Sequence, residues 1–313
     1  MCVPPLLYPD PMADSSSLTH TLVLVAARDA TSLTPVDIQA ARDLVRGAAP
    51  STLSVGEAVE IACPAPETWE QAGIGSVRTA FANRGLDVLV TPTHNRRKRL
   101  LVADMDSTIV NCETLDDIAT HAGIGEKIAD ITRRSMNGEI EFESALHERV
   151  ALLAGLPVSL LERAWKDVRL NAGALELVRT MRANGARTAL VSGGFTFFTS
   201  KVATLCGFDE NHANTLLTQG ETLTGKVSEP ILGPDAKLAH LWRLVKESRL
   251  DMDDAMATGD GANDLAMLRV AGAGIAFHAK PAVRREIENQ VNNTTLRTLL
   301  FAQGYRADEF VTA

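Results

Sequence analysis

Short apolar runs alternate with amphipathic stretches along most of the chain. Four of these runs lie after residue 99, namely LLVA at 100–103, TALVS at 188–192, AMAT at 255–258 and GIAF at 274–277. Short runs of this kind between helices are typical of strands in a parallel sheet that is covered on both faces. The pattern therefore predicts an α/β unit with a Rossmann-like parallel sheet at its core.

A smaller unit, residues 19–95, precedes the α/β unit. The segments HTLVLVAA, STLSVGEAVEIACPA and LDVLVTPT have the composition of strands, whereas TPVDIQAARDLVRG and PETWEQAGIGSVRTAFANRG have that of helices. In the first helix Thr34 is a suitable cap, Pro35 fits the first helical position and Gly47 is a suitable end. This order of elements predicts a small α+β sandwich of the ferredoxin type.

Residues 113–181 are helix-like almost throughout. A crossover between two parallel strands needs only one helix, so this stretch predicts a helical cap inserted into the α/β unit. The core of that unit is then formed by residues 96–112 and 182–313. Within the core, the segment NTLLTQGETLTGKV at 214–227 predicts a β-hairpin that turns at Gln219-Gly220.

Composition and charge narrow the class of protein. A length of 313 residues favours two or three units over one core, and 45% hydrophobic with 22% charged residues is typical of a globular protein. The net charge of -8 disfavours nucleic-acid binding, because a basic surface is needed to neutralise phosphates. The basic run RRKR at 96–99 is best interpreted as a solvated linker.

The chain is expected to be cytoplasmic. It lacks an apolar run near the roughly 20 residues that span a bilayer. The N-terminus has no basic start and its apolar run is broken by prolines, so residues 1–18 are predicted to be a disordered leader and not a signal peptide. The four cysteines are scattered without C-x-x-C spacing, which favours reduced thiols.

Three of the four predicted strands end in polar clusters. Asp104 and Asp106 follow the first, Ser-Gly-Gly at 192–194 follows the second, and Gly-Asp-Gly-Ala-Asn-Asp at 259–264 follows the third. Ligands of open α/β sheets bind beyond the carboxyl ends of the strands, so these clusters are expected to share one crevice. If the chain stays extended past the first strand, Asp104 and Asp106 face the same side.

Converging carboxylates predict a divalent cation. Asp104, Asp106, Asp260 and Asp264 would repel one another and raise each other's pKa, and Mg²⁺, which prefers a few carboxylate oxygens with water and phosphate, relieves this. Backbone N–H groups of 192–194 and the ammonium of Lys237 would hold a phosphate beside the metal. Together these groups predict a site for phosphoryl transfer.

The same motifs resemble a known family. The D-x-D-S-T at Asp104, the S-G-G at Ser192, Lys237 and the G-D-G-x-N-D at Gly259 are similar to the haloacid dehalogenase-like superfamily of phosphatases. More closely, the segments DMDSTIVNCETLDDIA, FESALHERVALLAGLP, LVSGGFTFF and TGDGANDLAMLRVAGAGIAFHAKP resemble phosphoserine phosphatases across most of residues 99–300. The strand order of the N-terminal unit is similar to that of ACT-like regulatory domains.

The resemblance implies a role for each motif residue. Asp104 would be the nucleophile that forms an aspartyl-phosphate, and Asp106 the general acid and base. It further implies Mg²⁺ at Asp104, Asp260 and the carbonyl of Asp106. Phosphate or substrate contacts would come from Ser192, Gly193, Lys237 and Asn263, with support from Gly194 and Asp264.

Substrate choice is expected to come from the cap. The resemblance implies Glu113 for a substrate ammonium and Arg149 for a carboxylate, which suits an amino-acid phosphate. Met136 and Phe142 are either the apolar wall of this pocket or plain core.

Other functions stay open at this point. Transfer of the phosphoryl group to another alcohol, such as homoserine, is excluded only weakly. A phospho-aspartate signalling receiver would need neither the cap nor an acid two residues past its aspartate. An amino-acid sensor with an inactive catalytic half would not need every motif acid. A homodimer paired through the N-terminal unit is a further expectation.

Overall fold

The computed structural model describes residues 18–28, 32–69, 73–136 and 139–312. The predicted leader lies outside these residues except for Leu18. Two β-sheets with their helices account for most of the described chain, and a two-stranded hairpin is attached to the second.

The N-terminal unit is a four-stranded antiparallel sheet with two helices. Its sheet order is β2-β3-β1-β4. Alternate residues of the central strand, among them Leu22 and Leu24, pack against the helical layer. The elements are β1 (His20–Ala26), α1 (Pro35–Val45), β2 (Ser51–Ser54), β3 (Ala58–Cys63), α2 (Ile74–Ala80) and β4 (Leu86–Pro92).

Three predictions for this unit needed correction. The segment 51–65 forms the hairpin β2–β3 and not one strand, because Gly56 takes a left-handed conformation (φ 72°) that turns the chain. The second predicted helix is reduced to α2 between short 3₁₀ turns. The first helix begins as predicted at Thr34 and Pro35, but it ends through a left-handed Arg46, one residue before Gly47.

The α/β unit is built on a six-stranded, all-parallel sheet. Its order is β12-β11-β10-β5-β6-β7, so the three strands with polar ends, β10, β5 and β6, are direct neighbours. All four predicted strands are present, and β7 and β12 were not predicted. The strands are β5 (Leu100–Ala103), β6 (Arg187–Phe195), β7 (Glu210–Asn214), β10 (Ala255–Gly259), β11 (Ala273–Phe277) and β12 (Gln290–Val291).

Helices cover this sheet and form the insertion after β5. The helices after the insertion are α8 (Thr196–Cys206), α9 (Pro234–Glu247), α10 (Leu265–Val270), α11 (Pro281–Arg284) and α12 (Thr298–Ala302). Those between β5 and β6 are α3 (Thr114–Ala122), α4 (Gly125–Met136), α5 (Phe142–Ala151), α6 (Ser159–Trp165) and α7 (Ala174–Ala183). Among these, α3 packs on α4 and α6, whereas α7 packs on β6 and α8.

The predicted hairpin is present, but it turns at Gly220-Glu221 and not at Gln219-Gly220, because Gln219 still pairs with Thr222. It consists of β8 (Leu216–Gln219) and β9 (Thr222–Val227), which are joined by Gly220 and Glu221. Its second strand packs on α5 and exchanges backbone hydrogen bonds with residues 155–158, for example from Gly155 N–H to the Leu223 carbonyl at 2.8 Å. The hairpin is therefore part of the insertion's support.

The two units share a buried boundary. Val23 and Val25 on β1 face away from the N-terminal helices and belong to the same apolar cluster as Leu299 and Phe301 of α12. Cys63, Cys112 and Cys206 are free thiols, and Cys2 lies outside the described residues. Among the described residues, none of the helices is both long enough and apolar enough to cross a bilayer.

Candidate active site

The parallel sheet brings the three polar clusters together. Ala103 at the end of β5 is paired with Thr258 of β10 and Leu190 of β6, and the Asp104 N–H donates to the Thr258 carbonyl at 3.0 Å. The residues after each strand line a single cavity of about 130 Å³, a size suited to a small molecule. The predicted crevice is thus present.

Asp106 reaches the cavity from a tight turn and not from an extended strand. The chain leaves β5 at Asp104 and winds through residues 105–109, with Ser107 in a left-handed conformation at φ 54°. Oδ1 of Asp106 accepts the Thr114 N–H at 2.9 Å, and Oδ2 accepts the Ser192 hydroxyl at 3.2 Å. The carboxylate is therefore fixed between the first turn of α3 and the end of β6.

Asp104 is held by a buried lysine. Lys237 on α9 is 1% exposed, and its Nζ lies 2.8 Å from Oδ1 of Asp104 and 2.5 Å from Oδ1 of Asp264. Oδ1 of Asp104 also accepts the Met105 N–H at 2.7 Å. These two donors orient the Asp104 carboxyl group through Oδ1. Neither contact uses its other oxygen, Oδ2.

Burial and charge oppose each other in this trio. Burial raises the pKa of Asp104, and the Lys237 ammonium lowers it by less, so the net shift is upward. Burial lowers the pKa of Lys237, but Asp104 and Asp264 more than offset this and the net shift is upward. Lys237 thus stays charged at neutral pH, which keeps an ion pair at the base of the cavity.

Asp106 has a different environment from Asp104. Burial and the nearby Glu113 carboxylate raise the pKa of Asp106 to about 6, against the hydrogen bonds from Thr114 and Ser192. A carboxyl group with this pKa holds a proton far more often near neutral pH than an ordinary aspartate does. It has the property that a general acid requires.

Three buried carboxylates form a group that fits a hard cation. Oxygen atoms of Asp104, Asp260 and Asp264 all lie within 4.8 Å of one another. The two Asp264 oxygens already accept from Lys237, from Asp260 N–H at 3.1 Å and from Gly261 N–H at 2.9 Å. Asp104 and Asp260 are consequently the better candidates for metal ligands, and their oxygens suit Mg²⁺.

The Ser-Gly-Gly run has a steric requirement. A Cβ on Gly194 would lie 2.8 Å from Oδ2 of Asp106 and 3.1 Å from the Ser192 hydroxyl. That hydroxyl in turn accepts the Gly194 N–H at 2.9 Å. Glycine is needed here because the backbone approaches the carboxylate closely. Gly193 and Asn263 line the same cavity.

The cap side of the cavity carries the remaining predicted residues. Glu113 accepts the Ser107 hydroxyl at 2.8 Å, and Phe142 and Arg149 of α5 lie opposite it on the cavity wall. Arg149 Nε donates to the Ala145 carbonyl at 3.1 Å, which fixes the guanidinium without using either terminal nitrogen. Met136 ends α4, and its side chain lies outside the described residues.

One charged cavity residue was not identified from the sequence. Lys280 follows β11, and its Nζ lies 3.3 Å from Oδ2 of Asp260 and 3.7 Å from Oε1 of Glu113. The fourth strand also ends in a polar residue, three positions after Phe277 and directly before Pro281. The strand-end argument would have found it had it been applied to all four strands.

A comparison of the sequence with models of protein families identifies the family to which the chain belongs. A family model described as haloacid dehalogenase-like hydrolase matches residues 101–269, more than half of the chain. The chain belongs to this family.

Two relatives, both named phosphoserine phosphatase, give a more specific comparison than the family model does. The chain is 41% identical over 203 residues to a phosphoserine phosphatase of Lactococcus lactis subsp. lactis, covering 65% of this chain and 94% of that protein. It is 40% identical over 214 residues to a phosphoserine phosphatase of Archaeoglobus fulgidus, covering 68% of this chain and 62% of that one. The match thus spans less than two thirds of the second relative.

A solved structure extends the likeness to nearly the whole chain. A crystal structure described as a probable phosphoserine phosphatase from Vibrio cholerae is similar with a TM-score of 0.76 at 28% identity. It covers 94% of this chain and 89% of that one. Within the hydrolase family, the chain is therefore similar to proteins named phosphoserine phosphatases.

Proposed function

We propose that the chain is a cytoplasmic, Mg²⁺-dependent phosphoserine phosphatase that hydrolyses O-phospho-L-serine to L-serine and phosphate, the last step of serine biosynthesis. The observation that carries this proposal is the meeting of three separate strand ends. Oxygens of Asp104, Asp260 and Asp264 lie within 4.8 Å of one another, Asp106 and Ser192 line the cavity at this point, and the buried Lys237 pairs with Asp104. The names of the relatives support the choice of substrate.

In the first step, an Asp104 oxygen attacks phosphorus. The bond from phosphorus to the seryl oxygen breaks, and Asp106, protonated at its raised pKa, gives its proton to that oxygen. Serine leaves, and the phosphoryl group stays on Asp104 as an aspartyl-phosphate. Lys237 and Ser192 stabilise the charge on the phosphoryl oxygens.

In the second step, Asp106 acts as a base. It takes a proton from a water molecule whose oxygen attacks phosphorus, the bond to Asp104 breaks, and phosphate leaves. Both steps use one carboxyl group in alternate protonation states, which a pKa near the working pH favours.

A metal ion completes the charge balance. Asp104, Asp260 and the carbonyl of Asp106 would hold Mg²⁺, which supplies positive charge against the phosphoryl oxygens. Asp264 orients Lys237, and Asn263 supports the phosphate.

The cap residues select the substrate. Glu113 binds the ammonium group, and the terminal nitrogens of Arg149 bind the carboxylate as a fork. Phe142 forms an apolar part of the cavity wall and excludes water when the cap closes. We place the cap within residues 113–181 and the phosphatase core at 96–112 and 182–313.

The N-terminal unit, residues 19–95, is proposed as an ACT-like domain, and a homodimer as the assembly. The four-stranded antiparallel sheet with two helices supports the first assignment.

A substrate panel tests the function. O-phosphoserine, O-phosphothreonine, phosphoglycolate and a sugar phosphate are supplied with Mg²⁺ and with EDTA, and released phosphate is measured. We expect the highest kcat/KM for O-phosphoserine and no turnover with EDTA. Homoserine added as a second acceptor should not become phosphorylated, and its phosphorylation would support a phosphotransferase.

Asp104→Asn is the matched control, because it keeps the shape of the side chain and removes the nucleophile. It should lower kcat by several orders of magnitude and give no acid-stable phosphorylated protein. Near-normal phosphate release by this variant would overturn the mechanism.

A further inference from the structure

Lys280 is built into the cavity from a fourth strand end. It precedes Pro281, the first residue of α11, and its own N–H donates to the Asp260 carbonyl at 2.9 Å. Its backbone is thus fixed to the loop after β10, which carries the proposed metal ligand. The side chain is 44% exposed, so its end can leave the site without unfolding the cleft.

The ammonium of Lys280 bridges two acids with different proposed tasks. It lies 3.3 Å from Asp260, the metal ligand, and 3.7 Å from Glu113, the acid for the substrate ammonium. Lys237 differs because it is 1% exposed and bonded to Asp104 and Asp264. The two lysines therefore hold different pairs of acids, one at the base of the cavity and one at its open side.

Charge explains why a cation is needed between Asp260 and Glu113. The cavity and its base hold five carboxyl groups, and its other two cationic side chains are Lys237 and Arg149. The carboxyl groups are those of Asp104, Asp106, Glu113, Asp260 and Asp264. Before metal and substrate arrive, the acids on the open side repel one another unless a nearby cation offsets them.

We propose that Lys280 is a resident cation that competes with the metal at Asp260 and with the substrate ammonium at Glu113, and so sets how tightly each binds. This inference rests on the proposed function. Both incoming groups are cations that take over a carboxylate from Lys280. Removal of its charge should therefore tighten metal binding and increase the preference for substrates that carry an amine.

A measurement of metal binding, made without substrate, tests the proposed competition between Lys280 and the metal at Asp260. Free Mn²⁺ is counted by electron paramagnetic resonance as it is titrated into the full-length protein at low ionic strength. Lys280→Met should bind Mn²⁺ about tenfold more tightly than the wild type, and the difference should shrink in high salt. Lys280→Arg keeps the charge and should stay within about twofold of the wild type.

Lys201→Met is the matched control. It removes the same charge from a lysine that pairs with Glu162 on the cap, outside the cavity, and should leave Mn²⁺ affinity unchanged. Unchanged or weaker Mn²⁺ binding by Lys280→Met would overturn the competition, since weaker binding means that Lys280 orients Asp260 instead.

The preference for substrates that carry an amine tests the proposed competition between Lys280 and the substrate ammonium at Glu113. The ratio of kcat/KM for O-phosphoserine over 3-phosphooxypropanoate, in which hydrogen replaces the ammonium group, should rise severalfold in Lys280→Met. The ratio cancels any attraction of Lys280 for the shared phosphate. An unchanged ratio in an active variant refutes the role of Lys280 at Glu113, whereas a wild type that fails to hydrolyse O-phosphoserine refutes the proposed function itself.

Discussion

At the residue scale, two aspartates that are two residues apart have different hydrogen-bonding partners. Asp104 is fixed through one oxygen by the Lys237 ammonium and the Met105 N–H. Asp106 has a carboxylate neighbour, Glu113, and its pKa is raised to about 6. The tight turn at 105–109 makes this difference possible, because it directs the two side chains to different partners. A nucleophile and a proton donor can thus arise from one short motif.

The raised pKa of Asp106 predicts a pH dependence of stability in metal-free protein. The folded state binds this proton more tightly than the unfolded chain, whose aspartates have a pKa near 4. Asp106 therefore stabilises the fold fully below about pH 4, and this contribution is lost as the pH rises through about 6. The Asp106→Asn variant has no carboxyl group at this position, so its stability lacks this pH-dependent contribution.

Urea unfolding with EDTA at several pH values measures this effect. The stability of Asp106→Asn relative to the wild type should increase by about 2 kcal/mol between pH 4 and pH 7. A difference that stays constant across this range would contradict the raised pKa.

Arg149 predicts a split between substrates. Arg149→Ala should raise KM about 100-fold for O-phosphoserine, because a charged, two-pronged hydrogen bond to the carboxylate is lost. The effect on O-phosphoethanolamine, which lacks the carboxylate, should be small. Arg163→Ala on α6, an exposed arginine, is the control and should change neither value. Equal losses on both substrates would remove Arg149 from carboxylate recognition.

At the element scale, the connection between cap and core is held by one asparagine. The Asn171 side-chain amide donates to the carbonyls of Thr108 at 2.8 Å, Val110 at 3.1 Å and Ser107 at 3.5 Å, and its N–H donates to the Ile109 carbonyl at 2.8 Å. The chain enters and leaves the insertion side by side here, and the turn that carries Asp106 is part of the same network.

Asn171→Ala should therefore harm catalysis as well as stability. We expect a loss of about 2 kcal/mol in the free energy of unfolding, since carbonyls of the turn lose their donor, and a lower kcat with little change in KM. Asn184→Ala is the control, because Asn184 makes a similar bond to the Thr180 carbonyl at the end of α7. It should cost stability and leave kcat unchanged, and an equal kcat loss in both variants would assign Asn171 a purely structural role.

The sequence predicted those strands and helix caps that are determined by residues close together in the chain. The strand runs at 100–103 and 255–258 and the cap at Thr34 are found as predicted, because buried composition and capping hydrogen bonds act within a few residues. The turn at Gly56 was missed, because the strand-like residues on both sides hid it. Lys280 was missed because the strand-end argument was applied to three of the four strands, and its approach to Glu113 arises only from the fold.

At the scale of the whole molecule, the N-terminal unit is joined to the catalytic unit by a buried ion pair. Arg297, just before α12, donates from Nε and Nη2 to the two oxygens of Glu57 at 3.0 and 3.1 Å. Both residues are less than 10% exposed. The backbone of Arg297 also lies against Gly173, since a Cβ added to Gly173 would be 2.5 Å from the Arg297 backbone nitrogen. Gly173 is two residues after Asn171, in the segment that returns from the cap.

This ion pair predicts how firmly the two units are joined. Arg297→Met should destabilise the protein by about 3 kcal/mol in urea unfolding, because it leaves the Glu57 carboxylate buried without its partner. Glu57→Met combined with Arg297→Met should recover part of that loss, since the buried carboxylate is removed together with its partner. Arg269→Met, which breaks an exposed pair with Glu286, is the control and should cost less than about 1 kcal/mol. If Arg297→Met costs no more than this control, the ion pair contributes little to joining the units, and other contacts such as the hydrogen bonds of Asp87 to Asn292 and Thr294 join them.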